Sequence, residues 1–105
     1  YMVEDTFLSK FSKPIYLINT ARGPLIDEKS LAKALSENTI FGAVRDVYEF
    51  EPQIEETLKT LENIVLLPHI GSATKETRSK MAEMVIKDAV TVLTGSKPLN
   101  QVNLK

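Results

Sequence analysis

The one histidine of this 105-residue chain, His69, stands in the segment Pro68-His69-Ile70-Gly71-Ser72, directly after an apolar run. Two other segments with reactive side chains follow apolar runs in the same way. Asn19-Thr20-Ala21-Arg22-Gly23 follows the first, and Arg45-Asp46-Val47-Tyr48 with Glu49-Phe50-Glu51-Pro52 closes the second. If the three runs are parallel strands, an arginine, several carboxylates and the histidine all meet at the carboxyl rim, where open α/β sheets bind ligands. These types suit one chemistry. Arginine offers a permanently charged fork that grips a carboxylate in two bonds. Histidine gives or takes a proton near neutral pH. A carboxylate bonded to the imidazole fixes its tautomer and holds its proton. The set therefore fits a small acid whose carboxylate lies beside a hydroxyl or ketone.

Taken singly, each residue has a plainer reading. A lone histidine after a strand is more often structural than catalytic. Arg22 in a glycine-containing loop also reads as a surface charge. Glu49 and Glu51 beside Pro52 also read as a solvated turn. Asp46 within an apolar run needs partners if buried, and Arg45 beside it is one candidate, as a structural pair. Ser72 and Thr74 read most simply as helix caps. The joint placement is what favours a site.

The elements that must position these residues follow from the pattern. Residues 4–11 read as a short helix, with Glu4 and Asp5 in its first turn and Phe7 and Phe11 on one face. Lys13-Pro14 is expected to end it. Residues 15–18 read as a strand buried on both faces. Asp27 reads as an N-cap for a helix over 28–37, with Asn38 as its stop. A second strand is expected over 41–48, and residues 54–61 form a helical turn or two. Residues 64–67 form a third strand, stopped by Pro68. Thr74 caps a long helix whose apolar face runs Ala82, Val85, Ile86, Ala89 and Leu93, with Gly95 and Pro98 beyond it. Helices between strands imply right-handed crossovers and an α/β layered fold of three parallel strands with flanking helices.

Composition narrows the classes. The chain has 13 Lys and Arg against 14 Asp and Glu, for a net charge of −1. That balance leaves no basic footprint for nucleic acid or an anionic membrane surface. There are no cysteines, which excludes disulfides, cysteine zinc sites and thiol nucleophiles. No metal site is expected. No apolar run reaches the length of a membrane span and no signal-peptide pattern opens the chain, so a cytoplasmic location is expected. The sequence enters a helical pattern almost at once after Tyr1-Met2-Val3, which predicts a piece of something longer.

Three segments together carry a family resemblance: the run from Asn19 through Arg22-Gly23-Pro24 to Asp27, then Asp46-Val47-Tyr48-Glu49-Phe50-Glu51-Pro52, then Leu67-Pro68-His69-Ile70-Gly71. In this order and spacing they resemble the D-isomer-specific 2-hydroxyacid dehydrogenases, in tone the phosphoglycerate dehydrogenase and hydroxypyruvate/glyoxylate reductase branches. The resemblance covers nearly the whole chain. It implies NAD as cofactor, a small 2-hydroxy or 2-keto acid as substrate, and reversible hydride transfer between them. It further implies catalytic roles for Arg22 as substrate-binding arginine, His69 as catalytic histidine and Glu51 as the acid paired with it. Asp46 matches a carboxylate near the nicotinamide carboxamide. Thr20, Ala21, Arg22, His69, Gly71 and Ser72 match segments lining the nicotinamide end.

Two departures from the family pattern stand out. Arg45 occupies a position that is usually apolar. The glycine-rich phosphate loop is missing, since Gly23, Gly42, Gly71 and Gly95 allow no G-x-G-x-x-G. The expectation is that residues 1–105 form the C-terminal half of a Rossmann-like NAD-binding domain, with no second domain and little or no activity alone. The alternative is a structural half-fold that self-associates, a dimer formed through its exposed sheet edge or through its long helix.

Overall fold

The computed structural model describes residues 1–11 and 15–102 of the chain. They divide into two compact units, residues 1–71 and 72–105. The first contains α1 (Asp5–Leu8), β1 (Tyr16–Asn19), a single 3-10 turn (Gly23–Leu25), α2 (Glu28–Ser36), β2 (Gly42–Arg45), α3 (Glu56–Lys59) and β3 (Ile64–Leu66). The second contains α4 (Lys75–Leu93).

The three strands form one parallel sheet in the order β1-β2-β3. Register aligns their carboxyl ends, because Asn19 lies beside Arg45 and Arg45 beside Leu66. Side chains alternate across a strand, so Leu17, Ala43 and Ile64 share one face. There they pack against Leu31 and Leu35 of α2, Leu8 of α1 and Leu58 of α3. Asp27 caps α2, its carboxylate accepting from the Lys29 N–H at 3.1 Å and the Ser30 hydroxyl at 2.8 Å. These bonds to the charged form hold the Asp27 pKa below the ordinary carboxylate value. Asn38 follows the C-cap residue Glu37 with a left-handed φ of 55°, a conformation asparagine tolerates.

Three expectations need correction. The first strand is not buried on both faces: Tyr16 and Ile18 are 75% and 67% exposed. With Phe41 and Val65 they leave the second sheet face open in this unit. The second strand spans only 42–45; the Asp46 N–H still donates to the Asn19 carbonyl at 3.0 Å, and the chain leaves the sheet beyond it. The first helix stops at Leu8, although Phe7 and Phe11 still meet edge to face at 5.4 Å. The stop expected at Lys13-Pro14 lies outside the described residues.

Within the second unit, Thr74 caps α4 by accepting from the Thr77 N–H at 3.1 Å. Among the described residues the Ser72 side chain makes no hydrogen bond, and Thr74 is the capping residue. Asp88 accepts from the Leu99 N–H at 2.9 Å and the Asn100 side-chain amide at 3.0 Å, folding the tail onto the helix. None of the residues of α4 is buried, and Val85, Ile86 and Leu93 are all exposed.

Candidate active site

The site residues of the first unit lie on the three connections that leave the carboxyl rim. Asn19, 5% exposed at the end of β1, organises the first. Its Oδ1 accepts from the Ala21 N–H at 3.0 Å and its Nδ2 donates to the Arg22 carbonyl at 2.9 Å. One amide thus clamps the turn through Thr20, Ala21 and Arg22. The Arg22 side chain is exposed, and among the described residues its one hydrogen bond runs from Nη1 to the adjacent Ala21 carbonyl at 2.7 Å. The other guanidinium donors stay available.

Asp46 is 2% exposed. The Ile70 N–H donates to its Oδ1 and the Gly71 N–H to its Oδ2, each at 2.7 Å. The carboxylate therefore binds the segment after β3 to the end of β2. A Cβ at Gly71 would stand 2.9 Å from Asp46 Oδ2, so a larger residue there would push the carboxylate aside. Asp46 does not pair with Arg45, contrary to one of the sequence readings. Side chains alternate, so these neighbours point to opposite faces, and Arg45 meets Glu28 at 3.2 Å instead.

Glu51 and His69 meet directly. Glu51 Oε2 lies 2.8 Å from His69 Nδ1, and its Oε1 accepts from the Tyr48 N–H at 3.0 Å. Both side chains are partly exposed. The bond to His69, then that to the Tyr48 N–H, hold the Glu51 pKa below its ordinary value. His69 sits at a left-handed φ of 55°, an uncommon conformation for a residue with a side chain. The contact with Glu51 engages Nδ1, and among the described residues Nε2 makes no hydrogen bond. Arg22 shares the rim but makes no hydrogen bond to either residue. Ser72 opens the second unit and is exposed.

Sequence reasoning missed Glu28, Tyr48 and Asn19. Glu28 is 5% exposed and accepts three bonds, from Arg45 Nη2 at 3.2 Å, the Glu49 N–H at 3.0 Å and the Glu55 N–H at 3.1 Å. The Tyr48 hydroxyl donates to the Leu67 carbonyl at 2.7 Å, joining the loop after β2 to the end of β3. The one available signal was Glu28 itself, an acid in the first turn of a helix, which reads as a dipole partner. Gly23 packs against this loop so closely that a Cβ would fall 1.8 Å from the Tyr48 carbonyl oxygen.

Comparison with known proteins gives this rim a family. Residues 1–71 match the family described as D-isomer specific 2-hydroxyacid dehydrogenase, NAD binding domain. A relative in Staphylococcus epidermidis, named as a 2-hydroxyacid dehydrogenase, is 46% identical over 98% of this chain and 32% of its own length. The chain thus spans about a third of the curated relatives it matches. Among solved structures, the NADPH-dependent glyoxylate/hydroxypyruvate reductase of Sinorhizobium meliloti, in complex with NADP and malonate, is 37% identical. Its TM-score is 0.90, over 95% of this chain and 31% of that one. The holo D-mandelate dehydrogenase of Rhodotorula graminis is 28% identical with a TM-score of 0.88, over 98% of this chain and 30% of that one. The open parallel sheet with flanking helices is that of Rossmann-fold dehydrogenases. With the Glu51–His69 pair at its carboxyl rim, the chain belongs to the D-isomer specific 2-hydroxyacid dehydrogenase family, in the C-terminal part of its NAD-binding domain.

Proposed function

We propose that this chain supplies the acid–base half of a nicotinamide-dependent 2-hydroxyacid dehydrogenase. Residues 1–105 then make up the C-terminal half of the NAD-binding domain. The substrate is a small 2-hydroxy or 2-keto acid, of the kind named for the glyoxylate/hydroxypyruvate reductase and the mandelate dehydrogenase above. The contact between Glu51 and His69 carries this reading.

The rim fits the nicotinamide end of a dinucleotide and not its pyrophosphate. The Thr20–Ala21–Arg22 turn and the His69–Gly71 segment supply backbone and side-chain polar groups at the strand ends, and Asp46 braces the latter. A carboxylate has about four lone-pair directions, so Asp46 retains acceptor capacity beyond its two N–H partners. No glycine-rich phosphate loop occurs in the sequence. The bound dinucleotide would exchange a hydride with C2 of the acid.

This chain's own residues handle the rest. Glu51 stays a carboxylate and accepts a hydrogen bond from His69 Nδ1–H, which fixes Nε2 as the reacting nitrogen. For reduction of a keto acid, Nε2–H donates its proton to the carbonyl oxygen as that oxygen gains charge. For oxidation of a hydroxy acid, neutral Nε2 takes the hydroxyl proton. Arg22, released from the Ala21 carbonyl, grips the substrate carboxylate in two bonds. Alone the chain turns over little or nothing, because it carries no pyrophosphate cradle.

The test is two-dimensional NMR of the chain titrated with NADH and then with glyoxylate. Amide shifts confined to residues 19–22, 46–51 and 68–71 are expected, and Arg22→Ala should abolish the response to glyoxylate. Shifts elsewhere, or a glyoxylate response that ignores Arg22, would overturn the reading. Robust NADH oxidation by the chain alone would overturn the incompleteness argument.

A second reading, self-association, rests on the exposed face of Tyr16, Ile18, Phe41 and Val65 and on the outer edge of β1. Apolar surface of that kind favours pairing between copies at high concentration.

A further inference from the structure

Arg45 is the most buried charged residue among those described, with 0% exposure at the end of the central strand. Its Nε and Nη2 reach the Val47 carbonyl at 3.2 and 3.0 Å, and Nη2 also reaches Glu28 Oε1 at 3.2 Å. Its guanidinium carbon lies 5.8 Å from the centre of the Tyr48 ring. Its Nη1 has no hydrogen-bond partner among the described residues. Burial pushes its pKa down, and Glu28, Tyr48 and Glu49 oppose that change. A strand of this kind could be closed by any apolar side chain without such desolvation. The guanidinium instead grips the peptide directly before Tyr48, whose N–H holds Glu51 against His69.

We propose that Arg45 is a positioning residue: its forked grip on the Val47 carbonyl and on Glu28 sets the 47–51 turn at the height where Glu51 meets His69. This rests on the reading of Glu51 and His69 as the proton-handling pair. Glu28 is the other half of the device, because it ties both ends of the same loop through the Glu49 and Glu55 N–H groups. The linkage runs from the buried guanidinium through one peptide to a partly exposed carboxylate.

The Glu51 carboxyl reports on the device, since its pKa is lowered by the His69 and Tyr48 bonds together. The groups facing it are His69 and Asp46, and Arg45 is not among those that set its charge directly. The experiment is a carbon-13 carboxyl titration of Glu51 in the full chain. Arg45→Met alone would strand the Glu28 charge, so it is made together with Glu28→Gln and compared with wild type. The expected result is an upward move of the Glu51 midpoint in the double variant, comparable with that caused by His69→Ala. Arg45→Lys keeps the charge without the fork, and its Glu51 midpoint should fall between wild type and the double variant. A Glu51 midpoint unchanged in the double variant, even with a lowered melting temperature, would make Arg45 merely structural and overturn the proposal. A wild-type midpoint in Arg45→Lys would overturn the forked grip. If His69→Ala itself leaves Glu51 unmoved, the proton-handling pair fails first, and the positioning role falls with it.

Discussion

Glu51 is held as a carboxylate by two donors, and the consequence is a pH dependence with a definite sign. Its folded pKa is lowered from 4.5, first by His69 and then by the Tyr48 N–H. A group of this kind stabilises the fold fully above its unfolded pKa, and the contribution disappears as pH falls through the folded value. Thermal melts of wild type and Glu51→Gln should therefore differ at neutral pH and converge in acid below the folded pKa. Curves that stay parallel down to that limit would mean the contact is absent in solution. Asp46 makes a second prediction at this scale. Asparagine at 46 keeps one acceptor and turns an amide N–H₂ toward one of the Ile70 and Gly71 donors. Bonds to charged acceptors are worth roughly 1.5–3 kcal/mol each, so Asp46→Asn should destabilise by about 2 kcal/mol in urea melts. Amide exchange should then accelerate first at Ile70 and Gly71.

The elements matter here as supports for loops. Strands β1, β2 and β3 end in register, so the turns after Asn19, Arg45 and Leu66 emerge side by side. The loop after β2 is then fixed from three directions: from α2 through Glu28, from the end of β3 through Tyr48, and from Gly23 by direct backbone contact. The Gly23 contact is backbone against backbone, which no rotamer change can relieve. Gly23→Ala should cost at least about 3 kcal/mol and displace the Glu51 loop, visible as loss of the Glu51–His69 coupling in NMR titrations. The cap of α2 gives a milder case. Asp27→Ala removes the acceptor for the Lys29 N–H and the Ser30 hydroxyl. It should lower stability by about 1 kcal/mol without altering the rim.

At the scale of the whole molecule, the first unit covers one sheet face with α1, α2 and α3 and leaves the other open. An exposed apolar face beside an unpaired strand edge should associate at high concentration. Sedimentation velocity is expected to show concentration-dependent dimers, and Ile18→Lys, on the open face, should suppress them with little change in melting temperature. A monomer at every concentration would remove the self-association reading and leave the acid–base reading intact.

The order of elements and the three rim segments could be read from the sequence, because they depend on local rules. Apolar runs bounded by Pro68 and polar loops mark strands, Asp27 and Thr74 mark helix starts, and Asn38 marks a stop. The types of Arg22, the rim carboxylates and His69 already suggested a chemistry for a small carboxylate-bearing acid, and the family resemblance singled out Glu51 among those carboxylates. What sequence could not give was pairing across distance. Arg45 beside Asp46 looks like an ion pair in one dimension, yet strand alternation sends the two to opposite faces, one to Glu28 and one to the backbone of Ile70 and Gly71. Burial was misread for the same reason: an apolar run such as 15–18 states what a strand would bury, and only the packed neighbours decide which face is covered. The local code determined the elements and their reactive residues. The family resemblance implied that Glu51 meets His69; register and alternation, which exist only once the sheet is formed, decided that Arg45 turns inward to Glu28 and the Val47 carbonyl while Asp46 holds the Ile70 and Gly71 backbone.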